Sequence, residues 1–174
     1  RFASPKYAGI FEYGGSYGGA YLLRRGLYMA WELPRVLDAE MAREGLERLQ
    51  TLQELGKTEE TISSGHYKVT ALESTWYMRN QLLRDTDWAS MAQSLEVRVP
   101  LVDLALLRSA APLISSLGTA PKRAMALTPH QSLPKYILNR PKSGFTVPTR
   151  EWLLPPGSSM GKGARQWARA VYDG

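Results

Sequence analysis

Apolar residues recur at helical spacing along most of this chain, and only one short stretch alternates. Ala20, Leu23, Leu27 and Trp31 share one helix face. The pattern stops before Pro34, whose ring disfavours helix in the residue ahead of it. In "RVLDAEMAREGLERLQTLQEL", Leu37, Met41, Leu46 and Leu49 make a core-facing stripe with Glu and Arg pairs opposite. The polar string "GKTEETISSGHYK" predicts a flexible connection. "VTALESTWYMRNQLLRD" predicts a third helix and "DWASMAQSLE" a short fourth. Leu104, Leu107 and Ala111 form another stripe. "TAPKRAMAL" predicts a short helix with Pro121 in its first turn, where a missing N–H costs little. A short "PTREWLL" follows, and Met160, Ala164, Trp167 and Val171 predict a terminal amphipathic helix. The expected fold is mainly α.

The alternating stretch is "SLEVRVPLVD", Ser94 to Asp103. Read as a strand, it points Leu95, Val97 and Val99 one way and Glu96 and Arg98 the other. Pro100 would end the ladder and Asp103 could cap the helix that follows. An ordinary edge strand accounts for all of this. Against that reading stands a carboxylate and a guanidinium placed on one face just before a bend, where site residues concentrate.

Charge changes the picture in the last third. Residues 1–117 carry 13 Lys and Arg against 14 Asp and Glu, whereas residues 118–174 carry nine against two. A field of one sign there favours nucleotide phosphates, nucleic acid or an acidic partner, or is simply a solvated basic face. Nucleic-acid binding would call for basic residues aligned on one helix face with stacking aromatics. Their scatter over loops and several helices speaks against it. With 174 residues, 44% apolar and 22% charged, the chain fits one globular domain. No run of eighteen apolar residues exists to span a membrane. The absence of cysteine excludes disulfides, thiolate metal sites and Cys nucleophiles within these residues, and fits a cytoplasmic protein. The first residue is Arg rather than Met, which points to a fragment.

Three further places could carry chemistry. "NRPKSGFTVPTREW" sets Lys142, followed by a small residue and Gly144, between Pro141 and Pro148. That is a rigid turn presenting an ammonium suited to phosphate, or else a surface turn with a solvated Lys. In "RDTDW", Asp85 and Asp87 are two apart and do not share a helix face; they could ligate a metal, and capping a helix before Trp88 is the better reading. His66 and His130 have no carboxylate at ligand spacing.

Taken together, "LLRDTDWASMAQSLEVRVPLVD", "PKRAM" and "LPKYILNRPKSGFTVPTREWL" resemble the C-terminal part of the synthetase domain of glutamine-hydrolysing asparagine synthetases. The family pattern is an LL…D…SM…S.E.R.P..D block, a Lys opening a helix in "K..LR", and an RPK.GF loop. The first and third match closely, while the middle one keeps Lys122 but has Met125 and Ala126 in place of Leu-Arg. The matching core is residues 60–155, closest over about 70–153, flanked by a helical N-terminal part (1–59) and a terminal helix (156–174).

The resemblance implies the helical C-terminal portion of an α/β, PP-loop synthetase domain. It implies ATP-dependent amide synthesis: aspartate is adenylated, and ammonia from glutamine displaces AMP. By the same resemblance Glu96 faces the acyl-adenylate and the incoming amine, and Lys142 faces the adenylate and the leaving phosphate. Arg98 pairs with Glu96 or Asp87, Lys122 contacts nucleotide or pyrophosphate, and Asp87 and Gly144 belong to the nucleotide-binding set. ATP and Mg²⁺ are the implied cofactors; a homodimer is left open.

The chain departs from the pattern at "YGGSYGGAY", Tyr13 to Tyr21, which has glycines but no SGG.DS phosphate loop. There is also no Cys for glutamine hydrolysis. The resemblance therefore implies that the phosphate loop, the Mg²⁺ ligands and the glutaminase lie outside this chain, which alone should be inactive. A relative with the same adenylation chemistry on another acid, in polysaccharide or peptide-amide biosynthesis, fits equally, and a basic helical binding module is the rival from another class.

Overall fold

The computed structural model describes residues 5–116, 121–141 and 164–173. The fold is mainly α, and no strand occurs among the described residues. The chain divides into two compact units. The first is Arg1–Ala92 with Pro148–Gly174, and the second is Gln93–Val147.

In the first unit a 3₁₀ turn (Pro5–Gly9) and a short helix α1 (Ile10–Tyr13) lead into α2 (Tyr17–Arg25). Ser16 caps α2, its Oγ accepting the Gly19 N–H at 3.0 Å. The stripe expected to run on to Trp31 is broken at Gly26. A 3₁₀ segment, Ala30–Arg35, then carries Pro34 inside it. Proline is tolerated there because a short 3₁₀ turn has few N–H partners to lose.

The single long helix expected after Arg35 is two helices, α3 (Ala39–Leu49) and α4 (Thr51–Glu59). They are separated by Gln50 in the left-handed region at φ 43°. Asp38 caps α3, accepting the N–H groups of Glu40 and Met41. The expected stripe is corrected with it. Met41, Leu46 and Leu49 are exposed and Ala42 is the buried residue of α3.

The string "GKTEETISSGHYK" is no linker. Its first half ends α4, and α5 (Gly65–Leu72) begins in its second. From there one helical rod continues through a π-helical stretch (Glu73–Leu83) into α6 (Arg84–Met91). Asp85 and Asp87 consequently cap nothing: Leu83, ahead of them, already has helical dihedrals.

Two apolar clusters flank α2. Tyr13, Leu23 and Met29 form one; Tyr21, Leu55 and Leu72 form the other, with Trp76 and Tyr77 against it, and Leu22 touches both. Met29, Leu55 and Leu72 are fully buried, each stabilising by about 1.5–3 kcal/mol relative to exposure.

The last helix of this unit, α10 (Ala164–Asp173), is fastened by polar contacts at its first turn. Arg165 Nη1 and Nη2 meet Glu32 Oε1 and Oε2 at 2.7 and 2.9 Å, and the Tyr28 hydroxyl donates to the Arg165 carbonyl at 2.6 Å. Burial pushes the Glu32 carboxyl up, but hydrogen bonds from Arg165 and from the Met29 N–H outweigh it and hold the group below 4.5. A lowered folded-state value means stability present above pH 4.5 and lost as pH falls through the folded value. Wild type is therefore expected to lose its stability advantage over Glu32→Gln progressively below pH 4.5, as read by urea denaturation at a series of pH values. An advantage that grows on acidification would contradict this pairing.

The second unit has a different character. After a turn at Ala92–Ser94, with Ser94 at φ 56°, residues 95–99 form neither helix nor strand. A 3₁₀ turn, Pro100–Val102, leads to α7 (Leu104–Ser116), followed by α8 (Pro121–Ala126) and α9 (Lys135–Leu138). Asp103 caps α7, its Oδ1 accepting the Leu106 N–H at 2.8 Å. None of the unit's described residues is buried. The strand expected at "EVRVP" is thus corrected to an irregular segment with no strand pairing.

Candidate functional site

Glu96 and Arg98 lie on the irregular segment after Ser94 and are paired with each other. Arg98 Nε donates to Glu96 Oε1 at 2.9 Å, with side chains 83% and 70% exposed for Arg98 and Glu96. An exposed pair of this kind is worth only about 0–1 kcal/mol. It orients two groups more than it holds a fold. Local chemistry explains the presentation. Ser94 adopts the left-handed region at φ 56° just before the pair, and the Arg98–Glu96 bond itself brings the two side chains together. Pro100 starts the 3₁₀ turn and the Asp103 cap fixes where α7 begins.

Asp87 sits exposed on α6, in the first unit, and its backbone carbonyl accepts the Ser90 hydroxyl at 3.1 Å. Lys122 falls in the first turn of α8, its side chain outside the described set. Lys142 and Gly144 lie outside the described residues. His66 and His130 are both exposed.

The glycine-rich stretch "YGGSYGGAY" has a structural role. Gly18 and Gly19 open α2, where a Cβ on Gly18 would stand 3.1 Å from Leu55 Cβ. The free N–H groups at this helix end are met from within the chain. Gly18 donates to Glu59 Oε1 at 2.7 Å, and Ser16 takes Gly19. Glu59 is buried at 7% exposure, and its other oxygen pairs with Lys68 Nζ at 3.2 Å. A carboxylate suits the positive end of α2. These amides are therefore engaged by side chains, consistent with the absence of a phosphate-loop signature here.

Sequence reasoning had no means of finding this carboxylate. Glu59 stood in the stretch read as a linker, and its partner amide is 41 residues away. The same holds for Arg25, which meets Glu73 through Nε (3.2 Å) and Nη2 (2.5 Å) and lies over the Tyr77 ring at 3.6 Å.

The asparagine synthase family model matches residues 17–170. The chain belongs to the asparagine synthase family. Among its relatives, the asparagine synthetase [glutamine-hydrolyzing] 1 of Bacillus subtilis is 33% identical over 108 residues, 58% of this chain and 17% of that protein. The putative asparagine synthetases [glutamine-hydrolyzing] of Mycobacterium bovis and Mycobacterium tuberculosis are each 38% identical over 82 residues, 45% of this chain and 12% of theirs. The matched part thus spans less than a fifth of each of these relatives. No solved structure matches the chain at comparable significance.

Among the described residues no group of three or more His, Asp or Glu could hold a metal ion. These residues do not fit a Mg²⁺ site. No described helix is long and apolar enough to cross a membrane.

Proposed function

We propose that this chain is the helical part of an ATP-dependent ligase that makes asparagine from aspartate, working within a larger protein. The observation that carries the reading is the family match over residues 17–170, which contains both the Glu96 block and the Lys142 loop in order. The relatives named for this activity support it.

The chemistry follows in two steps. The side-chain carboxylate of aspartate attacks the α-phosphorus of ATP, the α–β phosphoanhydride bond breaks, and pyrophosphate leaves with the electron pair. Ammonia released from glutamine elsewhere in the protein then attacks the acyl carbon of the β-aspartyl-adenylate. The acyl C–O bond breaks and AMP departs. The attacking nitrogen must lose a proton, and Glu96 is the carboxylate assigned to take it. Its exposure leaves it free to face substrate, and Arg98 at 2.9 Å orients it. Lys142 supplies positive charge as negative charge grows on the phosphorus and acyl oxygens. Lys122, Asp87 and Gly144 complete the nucleotide side. The phosphate loop, the Mg²⁺ ligands and the glutaminase belong to other parts of the protein, so the isolated chain is expected to lack activity.

The test is Glu96→Gln in the complete enzyme, supplied with ammonia. Amide formation is expected to fall by about 10²–10⁴-fold while ATP–pyrophosphate exchange falls much less. Equal ammonia-dependent activity in variant and parent would remove Glu96 from the mechanism.

A further inference from the structure

A cavity of about 600 Å³ lies entirely within the first unit, built from α2 and its exit, α4, the π-helical stretch and α10. That volume suits a small organic ligand. Its lining includes Arg24, Arg25, Trp76, Tyr77, Gln81 and Trp167. None of these has a place in the ligase chemistry.

Two of the polar groups are already committed. Trp76 Nε1 donates to Thr58 Oγ1 at 2.9 Å, which fixes the indole and uses its one polar atom. Arg25 is held by both oxygens of Glu73 and stacked on Tyr77, so its charge is matched. Arg24 differs: it is exposed and pairs with no carboxylate among the described residues. Trp167, from α10, also lines the cavity and keeps 46% of its surface exposed.

The surroundings carry surplus positive charge. Lys6 Nζ donates to the carbonyls of Arg24 (3.0 Å) and Gly26 (3.3 Å), both at the cavity. With Arg24, Arg25 and Arg165 it makes four cations against the two carboxylates Glu32 and Glu73. Burial first, then Arg165 and Arg24, push the Lys6 ammonium below its ordinary range, as crowded cations do. An anion would relieve that crowding. Flat indole walls favour a planar ring over a flexible chain, since stacking adds to simple burial.

We propose that this cavity binds a small planar aromatic anion, with its ring between Trp76 and Trp167 and its carboxylate on Arg24. This goes beyond the ligase reading and does not depend on it.

The experiment is calorimetric titration of the whole chain with 2-naphthoate and with neutral 2-naphthamide. Naphthoate is expected to bind and naphthamide to bind about five- to tenfold more weakly. Arg24→Gln should bring naphthoate down to the amide's level while leaving the amide unchanged, and Arg24→Lys should restore part of the difference. Trp167→Ala should weaken both ligands. Absence of naphthoate binding, equal binding of acid and amide, or an Arg24→Gln variant that binds naphthoate like the parent would each overturn the proposal. All three substitutions are at exposed side chains, so the unit's core is left intact.

Discussion

Lys142→Ala in the complete synthetase is expected to lower asparagine formation by about 10²–10³-fold while leaving the protein folded. The magnitude is that of removing one preorganised group from a site where charge develops in the transition state. Pro141 and Pro148 flank Lys142 in the sequence, and the low reorganisation this prediction assumes rests on proline's fixed φ at those two positions. A short, hydrated surface Lys would behave otherwise, and its loss would leave turnover almost unchanged. The deciding measurement is ATP–pyrophosphate exchange with aspartate. If Lys142 stabilises the departing phosphate, exchange falls with overall synthesis. Exchange at the parent rate in the alanine variant would exclude it from adenylate formation. Glu96→Gln should show the opposite split, with exchange largely kept and amide release lost. The two variants together therefore separate the half-reactions.

Gly19→Ala is expected to destabilise the first unit by about 1–3 kcal/mol, whereas Gly45→Ala should stabilise it by about 0.5–1 kcal/mol. Both glycines sit inside helices, α2 and α3, where Ala is ordinarily the better residue. What differs is the space around them. A Cβ on Gly19 would fall 2.1 Å from the Tyr13 carbonyl oxygen and 3.0 Å from Ser16 Oγ, the atom that caps the same helix. The obstacle is main chain, so relief requires opening the approach of α1 to α2 or losing the cap. A Cβ on Gly45 would meet nothing within 4 Å. Urea denaturation of both variants reads the signs directly. Two shifts of the same sign would contradict the packing described for α2.

Much of this was legible along the chain. The Asp103 cap, the breaks at Pro100 and the mainly helical character follow from residues within four positions of each other, and local energetics decides them. The family, too, is readable from the order of "SLEVRVP", "PKRAM" and "RPKSGF". The errors share a physical cause. Predicting one helix through Arg35–Leu55 overlooked that Gln50 can adopt the left-handed region. Predicting a strand at "EVRVP" assumed a neighbouring strand to pair with, and periodicity carries no information about partners. Asp85 and Asp87 read as caps only because the preceding residues were not seen to continue as helix.

Periodicity, capping residues and motif order settled the helical class, several helix starts and the family. The tertiary structure alone decided which distant charges and amides pair. Glu59 reaches Gly18, Arg25 reaches Glu73 and Arg165 reaches Glu32 across 41, 48 and 133 residues. A side chain's partner at that separation depends on how helices pack, and packing is set by all the apolar contacts at once. The Arg24 cavity has the same origin: its walls come from four separate segments, and no stretch of sequence contains it.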